Sequence, residues 1–269
     1  MSLGPHHFFL GGHDLEMLTI RQLLADVGLA QATTDHALTW GARASAYEGE
    51  IRAALARGQT PVLVELADDL PGDIDRARLI LVDHHGGRAG ANQPSALRQV
   101  FELLPPGAAA WTRWFDLVAA NDIAHAPGLR AAGADADEVR AVRDADRRAQ
   151  GIGPAVEAES RRALAGLVWH GGLAVVTTQA HTSSAIADFA LPEYGGPQVD
   201  NLLVLMPDKA AFFGGGAVVL ALAQAPAWKA VCWHGGALPL RGFWGAPLAS
   251  RQAGEALIGE VADILADAG

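Results

Sequence analysis

Strand-like and helix-like hydrophobic patterns alternate through the first half of the chain. HHFFL (6–10) is a short apolar run closed by Gly11-Gly12 and reads as a strand. HDLEMLTIRQLLADVG (13–28) repeats its apolar residues at helical spacing and ends on Gly28. YEGEIRAALARG (47–58) is a second helix, closed by Gly58. TPVLVEL (60–66) and ARLILVD (77–83) read as strands, ALRQVFELL (96–104) and WTRWFDLVAANDIAH (111–125) as helices. Strands and helices in this order predict a mostly parallel sheet with helices on its faces.

The pattern then changes. Residues 134–164 are charged, alanine-rich and without strand signals. Their arginines (Arg140, Arg143, Arg147, Arg148, Arg161, Arg162) are interleaved with acids. A solvated helical stretch with local ion pairs is the expectation, ahead of a phosphate-binding face. Gly151-Ile152-Gly153-Pro154 breaks the run, and GLAVVTT, NLLVLMP and KAVCWHGG beyond it read as strands of a second unit. The expected layout is an α/β domain over 1–150, a linker over 151–167 and a smaller α/β domain over 168–269, with a cleft between the domains. No internal repeat or low-complexity tract stands out.

Composition narrows the partners. Half of the 269 residues are hydrophobic, so a sizeable core is available. A formal net charge of −10 argues against long nucleic acid and membrane surfaces, which select basic patches. A small phosphorylated substrate stays open, because a local site or a metal neutralises a few phosphates. The one cysteine, Cys232, excludes an intramolecular disulfide and a cysteine-based zinc site. No apolar run approaches membrane-spanning length and no signal-peptide pattern is present, so a cytoplasmic protein is expected, with a homodimer compatible.

Candidate chemistry lies at the strand ends. LILVDHHGG (79–87) carries an apolar strand straight into Asp83-His84-His85. Side chains at the carboxyl ends of such strands stand where open α/β sheets bind ligands. Three more segments bring acids to that region. His13-Asp14-Leu15-Glu16 opens a helix, where acids are also favoured by capping and the helix dipole. Glu65 sits in an apolar strand, a costly place for an unpaired carboxylate. Asn121-Asp122 lies between apolar neighbours in a helix. Oxygen-rich ligands with one or two imidazoles suit manganese or magnesium. Two such ions about 4 Å apart would clamp an in-line phosphoryl displacement.

Asp83-His84-His85 after an apolar strand, with acids at the earlier strand ends, resembles the DHH phosphoesterases. These are two-domain α/β enzymes that use manganese or magnesium to hydrolyse pyrophosphate, polyphosphate, short oligonucleotides or cyclic dinucleotides. In that pattern Asp14-Leu15-Glu16 matches the first acidic pair, with Glu for the second Asp. The family's preceding histidine falls on Leu10, with His13 and His7 as nearby substitutes. Glu65 matches a bridging Asp, and Asp122 the last Asp. Asp83, His84 and His85 match fully; the resemblance implies that His84 binds metal and His85 faces the phosphate. Each Glu for Asp moves its carboxylate outward by about 1.5 Å.

The resemblance implies one or two Mn2+ (or Mg2+) ions held by Asp14, Glu16, Glu65, His84 and Asp122, with Asp83, His85 and His13 catalytic. It also likens the second unit to the family's small substrate-binding (DHHA1-like) domain. WHGGALPLRGFWG (233–245) stands where that domain has a glycine-rich loop, which makes His234, Gly235, Gly236 and Arg241 substrate-binding candidates. A tight aromatic-glycine turn is the alternative there. FFGGGA (212–217) is a weaker candidate and reads as a turn. A divergent, catalytically impaired relative that binds a nucleotide or phosphorylated ligand without turnover is the competing function. The helical HD phosphohydrolases, suggested by His13-Asp14, are disfavoured by the strands.

Overall fold

The computed structural model describes residues 5–39, 41–84, 93–236 and 238–268. The chain divides into two compact units, 1–134 and 135–269. Among the described residues, no helix is long and apolar enough to cross a membrane.

In the first unit, strands β1 (His6–Leu10), β2 (Thr33–Thr34), β3 (Thr60–Val64) and β4 (Ile80–Val82) form a parallel sheet in the order β2-β1-β3-β4. The expected parallel α/β architecture is therefore present. Helices α1 (Leu15–Asp26), α2 (Glu48–Ala56), α3 (Ala96–Leu103) and α4 (Arg113–Ala131) accompany it. The sheet's centre is buried on both faces, so Phe8-Phe9-Leu10 of β1 and Val62-Leu63-Val64 of β3 are unbroken apolar runs. Phe9 and Leu63 pack with Tyr47, Ile51 and Ala54 on one side, while Phe8, Leu10, Val62 and Val64 fill the alternate positions.

Local chemistry sets the helix ends. Asp14 caps α1 by accepting the Met17 N–H, Ser95 caps α3 and Thr112 caps α4. The strand expected over 77–83 is shorter because Arg76–Arg78 forms a 3-10 turn, capped by the Asp75 side chain. Helix α4 runs past the expected end at 125. Its helical path breaks at Ala124 and His125 and resumes through Pro127 to Ala131.

The second unit begins earlier than the expected 151–167 linker. Gly133 turns the chain at φ +72, and an Asp135/Glu138 capping box starts α5 (Ala136–Ala149), followed by α6 (Pro154–Ala165). Residues 135–165 thus belong to this unit, which matches the first in length. Nor is the arginine stretch wholly solvated. Arg143 and Arg147 are 3% and 1% exposed and converge on Asp188 of α7 (Ser184–Phe189).

Among the described residues, six strands form a mixed sheet here, ordered β5-β6-β7-β8-β10-β9: β5 (Val168–His170), β6 (Leu173–Thr177), β7 (Leu202–Leu205), β8 (Lys209–Gly215), β9 (Trp233–Gly235) and β10 (Arg241–Pro247). Only β6 and β7 pair in parallel. Along β6, Leu173 and Val175 face α8 (Gly216–Gln224) and α9 (Arg251–Ala268), while Ala174 and Val176 pack with Ile186 and Ala190. The stretch expected as the turn FFGGGA is largely strand β8. WHG (233–235) and RGFWG (241–245) of the other glycine-rich motif lie in β9 and β10, which pair antiparallel.

Candidate metal centre

Four segments of the first unit bring one chemical group each to a common point. Glu16 stands at the second position of α1, directly after β1. It is 2% exposed. Its Oε1 accepts the Leu97 backbone N–H, 2.9 Å away in the first turn of α3. Its Oε2 is buried with no hydrogen-bond partner. Burial, and then the nearby Asp122 and Glu65 carboxylates, push the Glu16 carboxyl well above the usual range against the Leu97 N–H.

Glu65 follows β3. Its N–H donates to the Val82 carbonyl at 2.8 Å, which ties it to β4. Its backbone sits at φ +50, a left-handed conformation uncommon for a residue with a side chain. Such strain is held only where the surroundings fix it, and it concentrates at functional sites. Here the end of β1 crosses close by. A Cβ on Gly11 would lie 2.5 Å from the Glu65 carbonyl oxygen and 2.7 Å from that of Val64. Only glycine permits that approach.

His84 follows β4. Its Nε2 lies 3.1 Å from Glu65 Oε1 and 2.5 Å from Asp122 Oδ2. Burial alone would lower its pKa, but the Asp122 and Glu65 carboxylates outweigh it and raise His84 to about 10. Asp122 reaches the cluster from α4, just before that helix breaks. One ligand atom from each of Glu16, Glu65, His84 and Asp122 lies within 4.8 Å of all the others.

Three carboxylates, largely withdrawn from water, face a single imidazole, which can offset at most one negative charge. A cation at their centre would give Glu16 Oε2 its missing partner and relieve the mutual repulsion. The donor set is that of a hard divalent ion with one nitrogen ligand, which suits manganese or magnesium.

Other sequence candidates are placed differently. Asp14 is not among the four; its Oδ1 accepts the Met17 N–H at 2.9 Å as the α1 cap. His13 lies one residue before it, with Nδ1 buried and without a hydrogen-bond partner. The Asp83 carbonyl accepts from Gln99 Nε2 at 3.1 Å. His85 lies outside the described residues. In the second unit, His234 is exposed on β9 opposite Trp244. Gly235 and Gly236 allow close packing: a Cβ would meet the Phe243 ring at 3.0 Å or Gly242 Cα at 2.8 Å. Arg241 donates to the Asp200 carbonyl at 2.7 Å.

Two contributors escaped the sequence reading. Gly11 was visible only as strand punctuation, and the Leu97 N–H carries no residue-type signal at all. Gly11 gives a direct test. Gly11→Ala is expected to lower Mn2+ affinity about 10–100-fold, the range for residues that support ligands. Stability should fall by about 1–3 kcal/mol through overpacking. Gly49→Ala, in α2 with nothing within 4 Å of the added Cβ, is the control. Calorimetric Mn2+ titration and thermal unfolding read both effects; unchanged affinity in Gly11→Ala would remove the support role.

Comparison with protein-family models and with curated protein sequences finds no match. Solved structures with a similar chain path include PggH, a pGpG-specific phosphodiesterase from Vibrio cholerae. It is 15% identical over 97% of this chain and 99% of that one, with a TM-score of 0.42. The exonuclease RecJ bound to manganese is 14% identical over 98% and 90% of the two chains, at 0.47. RecJ from Thermus thermophilus in complex with Mn2+ is 14% identical, with 98% of this chain and 52% of that one covered, at 0.46.

Proposed function

We propose that the chain is a metal-dependent phosphoesterase of the DHH type. Its substrate class is a small phosphorylated molecule: a short oligonucleotide, a dinucleotide or a phosphoanhydride. The observation that carries this reading is the convergence of Glu16, Glu65, His84 and Asp122, with the buried Glu16 Oε2 lacking a partner. These four residues would hold Mn2+ or Mg2+. When bound, such an ion neutralises charge on phosphoryl oxygens and acidifies water.

The chain's own residues supply the rest. The Leu97 N–H orients Glu16, and the Val82 carbonyl holds the backbone that presents Glu65. His84 offers Nε2 to the same centre as both acids. By the resemblance, Asp83 and His85 act at the substrate, with His85 facing the phosphate. His13 is a further candidate for proton handling, through its Nδ1. His234, Gly235, Gly236 and Arg241 are the substrate-contact candidates of the second unit. Arg241 would have to exchange its bond to the Asp200 carbonyl for one to phosphate.

The test is a panel of dinucleotides, short oligonucleotides, pyrophosphate and polyphosphate, assayed with added Mn2+ and with chelator. Hydrolysis of at least one class, lost with chelator and restored by Mn2+, is expected. Metal-dependent binding of a nucleotide with no turnover anywhere in the panel would replace this reading with that of a catalytically impaired relative.

A further inference from the structure

We infer that the cluster is a single-ion site: Glu16, Glu65, His84 and Asp122 surround one divalent cation, and Asp14 serves helix α1 instead of a second ion. This rests on the metal-dependent reading above and deepens it.

The first ground is spacing. The four ligand atoms all lie within 4.8 Å of one another. Donors stand about 2.1 Å from a small divalent ion, so opposite donors on one ion are about 4.2 Å apart. Two ions about 4 Å apart need donors on their outer sides, on the order of 8 Å from one another. The observed group has the size of the first arrangement. All four residues contribute to it, and none is left over to begin a second.

The second ground is the use made of the neighbouring positions. His13 and Asp14, between β1 and α1, are the nearest described sequence candidates for a second ion. Position 10 there is Leu10, fully buried and aliphatic, whose carbonyl accepts the Tyr47 O–H at 2.6 Å. Asp14 has the extended backbone of a helix cap (φ −140, ψ −170), with Oδ1 on the Met17 N–H. Among the described residues, no further group of three histidine, cysteine or acidic side chains could hold an ion. His13 brings a buried, unpartnered Nδ1 and stands outside the four.

The third ground is Glu16 itself. Oε1 is held by Leu97, Oε2 is buried without a hydrogen-bond partner, and a Glu16 carboxylate oxygen belongs to the four-residue group. A glutamate so placed commits one oxygen to the protein and one to a ligand.

The experiment reconstitutes the full chain with Mn2+, removes excess by gel filtration, and counts ions per chain by elemental mass spectrometry. Electron paramagnetic resonance on the same samples separates isolated from exchange-coupled ions. One Mn2+ per chain with an isolated-ion spectrum is expected. His13→Asn and Asp14→Asn should both retain that ion; asparagine caps a helix about as well as aspartate, so α1 keeps its start. Glu16→Gln should weaken the ion's retention. Two coupled ions per chain, falling to one in Asp14→Asn, would overturn the single-ion inference and leave the metal-dependent reading standing. Loss of the one ion in Asp14→Asn would overturn the role given to Asp14. A chain that binds no Mn2+ even at saturation would overturn both the inference and the reading beneath it.

Discussion

Replacing His84 with alanine is expected to abolish both Mn2+ binding and Mn2+-dependent hydrolysis. Its Nε2 lies between Glu65 and Asp122, at 3.1 and 2.5 Å. Without the imidazole, three carboxylates face each other in a largely buried space. They must protonate or move apart, and either change dismantles the site. His85→Ala should behave differently. If His85 faces the phosphate, its loss leaves the ion bound and removes stabilisation of charge developing on the phosphoryl oxygens, worth about 2–4 kcal/mol. That range is roughly a 30- to 1000-fold fall in turnover. Mn2+ titration and steady-state kinetics on the two variants separate the roles. Equal loss of metal from both would contradict the division of labour. Full activity in His84→Ala would reduce Asp83-His84-His85 to a polar strand end.

The strand ends that meet in the cluster were legible because each breaks an apolar run with a charge. A carboxylate or imidazole at the edge of VLVEL or LILVD has no reason to be there unless paired, and Glu65 and His84 do meet. Less legible was the difference between Asp14 and Glu16. Both open the same helix, and both were expected as metal ligands. The difference depends on Ser95 starting α3 so that the Leu97 N–H meets Glu16, a contact made across 81 positions of sequence. The left-handed backbone of Glu65 was invisible, since nothing in PVLVEL marks the backbone of its one acid as other than extended strand. In the second unit the glycines misled. Gly214, Gly242 and Gly245 lie inside strands β8 and β10. A Cβ on Gly245 would lie 2.5 Å from the Trp233 ring, and one on Gly214 2.5 Å from Asn201 Oδ1. These glycines mark close approach of neighbouring groups, not turns.

The arginines of α5 illustrate the same limit and yield the second large effect. Asp188→Ala is expected to destabilise the protein by about 3–5 kcal/mol, because it strands buried charge. Arg143 Nε donates to Asp188 Oδ1 at 2.9 Å and Arg147 Nη1 donates to Oδ2. Asp188 is thus the shared acceptor of two almost inaccessible guanidiniums. Arg143 Nη1 also donates to Asp146, and Arg147 donates further to Glu157, Tyr194 and Asp144. Interleaved Arg and Asp on a helix usually means solvated i,i+3 pairs, and one such pair is present: Asp137, 87% exposed, with Arg140. In sequence, Arg143–Asp146 and Asp144–Arg147 look like Asp137–Arg140, all being i,i+3 pairs within α5, and only Asp188 on another helix separates them. Their energetics should not be alike. Asp137→Ala removes an exposed pair worth about 0–1 kcal/mol. Urea or thermal unfolding of the two variants makes the comparison. If they lose similar stability, the Asp188 network is no more than a set of surface contacts. A gap of several-fold between them would show that residues 135–149 are held to the second unit by buried charge.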